Sequence, residues 1–114
     1  MDKIYEQTML YDFYGELLTA HQRSIYEDAV YNDMSLGEIA EERGISRQGV
    51  HDLIRRCDRI LQDYESKLHL VERFTRAKET VSEIERLTRE TEPEKVQERM
   101  QRISRLAQEL LEEI

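Results

Sequence analysis

Tryptophan is missing from these 114 residues, proline and cysteine occur once each, and glycine only four times. With so few helix breakers the chain should be helical, and its helices long. No long apolar run is present, which excludes a transmembrane span and membrane insertion. The opening Met1-Asp2-Lys3 leads into an amphipathic stretch that lacks the apolar core and small-residue cleavage site of a signal peptide. The cytoplasm is the expected compartment. A lone Cys57 excludes an intrachain disulfide, and its place on an apolar helix face suits a small buried residue rather than a reactive thiol.

Catalytic signatures are lacking too. His21, His51 and His69 are scattered, and none has a second histidine or a cysteine at a metal-ligand spacing. No glycine-rich phosphate loop occurs. Glu41-Glu42 and Glu112-Glu113 fit solvated helix faces. The expectation is a protein that is not an enzyme and needs no cofactor or metal.

What the chain has is charge: 37% of residues, with a net charge of −8. Acidity argues against indiscriminate coating of nucleic acid. It leaves room for a local basic face, because the field near a cluster outweighs the total.

The chain is organised around Ser35–Arg59. Ser35 and Glu38 have the spacing of a capping box. Leu36, Ile39 and Ala40 give a short apolar face, and Gly44 suits a left-handed helix end. Ile45 is expected to turn inward as a wedge. Ser46 caps a second helix with apolar positions Val50, Leu53, Ile54 and Cys57. Two capped helices around a glycine turn make a helix-turn-helix. The expected core is Leu36, Ile39, Ala40, Ile45, Val50, Leu53 and Ile54.

Opposite that core lie Arg47, Gln48, His51, Asp52, Arg55, Arg56 and Arg59. Readers of this kind bring the N-terminal residues of the second helix to base edges. Arg47 suits guanine and Gln48 adenine, each by a bidentate match. Ser46 at the helix start can hold a phosphate, and His51 can contact one. With Arg43, the candidate nucleic-acid-binding residues are Arg43, Ser46, Arg47, Gln48, His51, Arg55, Arg56 and Arg59.

Around this centre, a first helix is predicted over about Lys3 to Leu18, with Ile4, Leu10, Phe13, Tyr14, Leu17 and Leu18 on its apolar side and Tyr5, Tyr11 and Tyr14 as core aromatics. Thr19 and Gln22 form another capping box before Ile25, Tyr26, Ala29 and Val30. Tyr31-Asn32-Asp33 is a stop. Ile60, Leu61, Tyr64 and Leu68 continue the apolar stripe of the fourth helix, with Ser66 as a weak break. Val71, Phe74, Ala77, Val81, Ile84 and Thr88 mark a fifth helix. After the linker Glu90–Pro93, where Thr91 or Glu92 can cap and Pro93 can stand first, Val96, Met100, Ile103, Ala107, Leu110 and Ile114 mark a sixth. The fold expected is all-α: a helix-turn-helix domain over residues 1–66 and a C-terminal amphipathic helical hairpin over 67–114.

Leu18–Arg23, Asp33–Ala40 and Gly44–Val50 together resemble region 4 of sigma-70 factors, which binds an upstream promoter element. With Ile60–Leu70 added, almost the whole chain resembles the YlxM family of small bacterial proteins, best over residues 3–75. Genes of that family commonly neighbour those of the signal recognition particle GTPase and its receptor. The resemblance therefore implies a nucleic-acid-binding regulator linked to the signal recognition particle. Gly49, where the family more often has alanine, weakens the second helix by about 1 kcal/mol. His51 replaces a larger aromatic. Nor is there any sigma region 2, so this chain cannot open a promoter alone.

Three functions follow as alternatives. The first is a DNA-binding regulator, favoured over RNA. The second is an RNA- or protein-binding accessory of the signal recognition particle. The third is a helical interaction module without nucleic-acid binding. A homodimer is expected, because two helices after Tyr64 make a thin core and each leaves one flank of its stripe exposed. Closed two-fold pairing is the commonest self-solution. The alternative is a monomer in which the sixth helix folds back onto the first.

Overall fold

A computed structural model of the chain describes residues 2–113. Among them are six α-helices and two short 3-10 turns, with no strand. The helices are α1 (Lys3–Tyr14), α2 (Ala20–Val30), α3 (Leu36–Arg43), α4 (Arg47–Leu68), α5 (Leu70–Thr88) and α6 (Val96–Glu113). The chain divides into two compact units, one ending at Val71 and the other beginning at Glu72.

Side chains fix the helix starts of the first unit. Thr19 Oγ1 accepts from the Gln22 amide at 3.2 Å, and the Gln22 side chain accepts from the Thr19 amide at 2.9 Å. Ser35 and Glu38 repeat the exchange at 3.1 and 3.0 Å. Ser46 Oγ accepts from the Gly49 amide at 2.9 Å. Each cap satisfies amides that a helix start leaves open and stabilises by about 1 kcal/mol. The backbone and side-chain hydroxyl of Ser35 hold the Glu38 carboxyl below its ordinary value. Gly44 ends α3 in the left-handed region at φ 67°, and the Ile45 amide donates to the Ala40 carbonyl at 3.1 Å.

Two hydrophobic clusters meet on α4. Ile25, Ile39, Ala40 and Val50 form one, joining α2, α3 and the start of α4. Leu10, Tyr14, Leu18, Tyr26, Cys57 and Leu61 form the other, joining α1, α2 and the middle of α4. Leu53 and Ile54 pack against both. Burial pushes the Cys57 thiol up to about 11, as befits a packed side chain rather than a nucleophile.

Several apolar residues lie elsewhere than expected. Ile45 is 37% exposed. Its amide belongs to the helix-ending bond, and its side chain is no inward wedge. Ile4, Tyr5, Phe13 and Leu17 are exposed as well. The apolar arc of α1 is wider than the face its neighbours cover, so only Leu10 and Tyr14 of that helix are buried. The first helix also stops at Tyr14 and gives way to a 3-10 turn over Gly15–Leu17. Tyr11 lies against Gly15 so closely that a Cβ there would stand 2.8 Å from its ring.

Ser66 lies inside α4 and breaks nothing. The helix ends two residues later, where His69 takes the left-handed conformation at φ 58°. The start of α5 is then capped from afar. The Leu70 amide donates to Tyr14 Oη at 3.1 Å, and the Val71 amide to Glu65 Oε1 at 3.0 Å. Tyr14 Oη itself donates to Glu65 Oε1 at 2.6 Å. Val71 packs on the Leu10–Leu61 cluster, which carries the first unit past residue 66.

In the second unit, Pro93 opens a 3-10 turn over Pro93–Lys95 that leads into α6. Glu92 precedes it without a side-chain cap bond. Arg76 donates to Glu113 Oε1 at 3.0 Å, which pairs the beginning of α5 with the end of α6 in antiparallel sense. The buried residues are Leu87 and Leu106, neither on the expected stripes, whereas Phe74, Val81, Val96 and Met100 are exposed. Ala77, Ile84, Ile103, Ala107 and Leu110 of those stripes are half-buried, so the expected faces are covered in part. Ile114 lies outside the described residues.

Candidate nucleic-acid interface

α4 presents its apolar side to three other helices and its polar side to solvent. At 3.6 residues per turn, positions 47, 51, 55 and 59 form a slowly drifting stripe on that polar side. The structure brings His51, Arg55 and Arg59 together around one open depression, joined by Lys3, Asp58 and Gln62. Arg47 and Gln48 stand at the beginning of the same stripe, both exposed.

The exposed side chains are not all alike in freedom. The Arg47 guanidinium leans over the start of α3, with its Nε 3.6 Å from where a Gly37 Cβ would lie. Glycine leaves that side open for the guanidinium. Gln48 Nε2 donates to Asp52 Oδ1 at 2.9 Å, which orients the amide before any ligand arrives. His51 Nδ1 is buried without a hydrogen bond and lies 3.7 Å from Asp52 Oδ1, too far to share a proton well. Asp58 faces inward, accepting from Tyr26 Oη at 2.6 Å and Gln7 Nε2 at 3.0 Å. Burial and that carboxylate raise the Tyr26 hydroxyl far above its ordinary range.

Two candidates fall outside the group. Arg43 donates to Asp28 Oδ2 at 2.7 Å and to Ser24 Oγ at 2.6 Å, bracing α3 against α2. Hydrogen bonds from Arg43 and then Asn32 hold the Asp28 carboxyl below its ordinary value. Arg56 is exposed but stands half a helical circuit from Arg47, away from the depression. The Ser46 hydroxyl already accepts from Gly49, leaving its proton to donate elsewhere.

Asp58 and Gln62 could have been found from the sequence, because they continue the 51–55–59 face by three and four. Lys3 could not, since only the packing of α1 on α4 brings it there. Among the described residues, Arg47, Arg55, Arg56 and Arg59 make no ion pair, whereas Arg76, Arg86, Arg89 and Lys95 of the second unit are each matched to glutamates. No group of histidine, cysteine and acidic residues among the described residues is arranged to hold a metal ion. Among the described residues, no helix is long and apolar enough to cross a membrane.

A family model described as "Putative helix-turn-helix protein, YlxM / p13 like" matches residues 1–103. The chain belongs to this family. Among curated members, a UPF0122 protein of Acetivibrio thermocellus is 51% identical over 84 residues, 74% of this chain and 72% of the relative. One of Thermoanaerobacter sp. (strain X514) is 42% identical over 107 residues, covering 94% of this chain and 89% of the relative. One of Bacillus thuringiensis (strain Al Hakam) is 40% identical over 103 residues, covering 90% and 92%. The YlxM/p13-like match spans residues of both units.

Proposed function

We propose that this YlxM/p13-like protein is a nucleic-acid-binding regulator that reads duplex DNA with the start of α4. The observation that carries the reading is the unpaired arginine stripe on the open face of the second helix-turn-helix helix. Arg47, Arg55 and Arg59 stand on that face, in a chain whose net charge is −8. Such a face favours a polyanion locally while the rest of the molecule repels one. Arg47 and Gln48 read base edges, Asp52 aims Gln48, and Arg55 and Arg59 hold the backbone. Arg43 serves by keeping α3 in place. The chain acts by binding and not by catalysis, in the compartment where nucleic acid is found.

A homodimer completes the reading. Ile4, Phe13, Leu17, Leu68 and Leu70 leave apolar surface on the first unit, and Val81, Val96, Met100 and Leu111 on the second. Two-fold pairing would set two reading helices against half-sites about 34 Å apart. A monomeric mass by light scattering at tens of micromolar would reject it. A competition gel shift with duplex DNA, the signal recognition particle's RNA and a scrambled RNA tests the target class. Duplex should win. Selective capture of the particle's RNA would move the function to the signal recognition particle itself.

A further inference from the structure

The depression beside α4 asks for more than a generic basic face. Its volume is about 510 Å³, and its lining is Lys3, His51, Arg55, Asp58, Arg59 and Gln62. Arg55 and Arg59 stand one helical turn apart, where like charges destabilise a helix. Neither makes an ion pair among the described residues, and Lys3 adds a third cation from another helix. Asp58 is the one carboxylate in the lining, and its oxygens are turned to Tyr26 and Gln7. Outside the lining, Gln62 Nε2 donates to the exposed carboxylate of Glu6 at 2.7 Å, so one acidic group stands next to the three cations. The His51 ring lines the depression as well, with its Nδ1 buried 3.7 Å from Asp52 Oδ1.

We propose that this depression is a phosphate site, lined by Lys3 of α1 and by Arg55 and Arg59 of α4. A carboxylate would neutralise only one of the three cations. A phosphate offers several acceptor oxygens, and the arginine fork fits them in pairs. The site rests on the reading of α4 as a nucleic-acid surface, and a backbone phosphate next to the bases met by Arg47 and Gln48 is its natural occupant. Lys3 then acts as a clamp from α1, fixing the angle at which α4 meets the strand. The same chemistry would accept a free phosphate compound, so the test separates the two sources.

The full chain is titrated with inorganic pyrophosphate while the arginine side-chain NH resonances are followed by NMR. Saturable shifts confined to Arg55 and Arg59 are expected. Lys3→Ala should weaken them severalfold, Lys3→Arg should restore them, and Gln48→Ala should leave them unchanged. Thermal melts of each variant check folding, which these exposed positions do not support. In parallel, duplex binding is measured against salt. Lys3→Ala should lower the slope by about 0.9, with sequence preference intact. Pyrophosphate binding without binding of duplex or RNA would keep the site, assign it to a free phosphate compound, and sink the nucleic-acid reading alone. Uniform, non-saturating shifts of all arginines would overturn the site, even if duplex binds tightly through Arg47 and Gln48.

Discussion

α4 and α6 are both long amphipathic helices, and they end in opposite circumstances. α4 buries Val50, Cys57 and Leu61 completely between three helices. α6 buries only Leu106 and leaves Val96, Met100 and Leu111 open. The charges of their units differ too. The arginines of α4 between Arg47 and Arg59 stand alone. The paired arginines of the second unit, Arg76, Arg86 and Arg89, lie on and just after α5, not on α6, and are matched along or between helices. One helix has spent its apolar side on the fold and kept its cations for something else. The other has kept apolar surface to offer.

Leu61→Ala should break that comparison most severely. A fully buried leucine at the junction of α1, α2 and α4 is expected to cost about 2–5 kcal/mol, read from denaturant unfolding. Leu111→Ala on α6, at a residue 71% exposed, should change stability by less than about 0.5 kcal/mol. Equal losses would mean that the two helices are equally supported.

Next in size is the brace on α3. Asp28→Ala removes the acceptor of Arg43 and Asn32 and should cost roughly 1–3 kcal/mol. Because the folded-state carboxyl lies below its unfolded value, its contribution is complete above the unfolded value, near about 3.9, and disappears as pH falls through the folded one. The gap between parent and Asp28→Asn should therefore narrow on acidification, measured by denaturant melts between neutral and acid pH. A gap that widens in acid would contradict the pairing.

Gly44→Ala should cost about 1–2 kcal/mol, because alanine at φ 67° is strained even where space is open. Ile45→Ala should cost only about 1 kcal/mol, since the side chain is already partly in solvent. Thermal unfolding of the pair checks the order. A larger loss at Ile45 would restore it as a core wedge. Gly49→Ala should change least. The gain in helix propensity, about 1 kcal/mol, is opposed by a new Cβ 3.1 Å from Ser46 Oγ. A full unopposed gain in the same melts would show that the cap yields without cost.

The all-α helix-turn-helix fold was legible because its signals are local. The caps at Thr19, Ser35 and Ser46 and the left-handed end at Gly44 depend on residues within a turn of each other. The arginines on α4 were legible for the same reason. What escaped depends on distant neighbours. Ile4, Phe13 and Ile45 have core-like side chains, but tertiary packing decides which apolar arc is covered. His69 ends α4 without a glycine, and Tyr14 and Glu65 cap α5 across more than one element. Arg43 reads as part of the basic face in sequence, but in the fold its guanidinium is taken by Asp28, fifteen positions earlier. Lys3 looked like nothing at all.

The most direct test of the central claim is duplex binding by the parent chain and by an Arg47→Ala/Arg55→Ala/Arg59→Ala variant across a salt series. The three positions are exposed, so the variant should melt like the parent. If the open face of α4 is the nucleic-acid surface, the variant binds more weakly to every sequence, and its salt slope falls by roughly two, about one for each backbone arginine. Unchanged affinity and slope in a folded variant would contradict the assignment of that face.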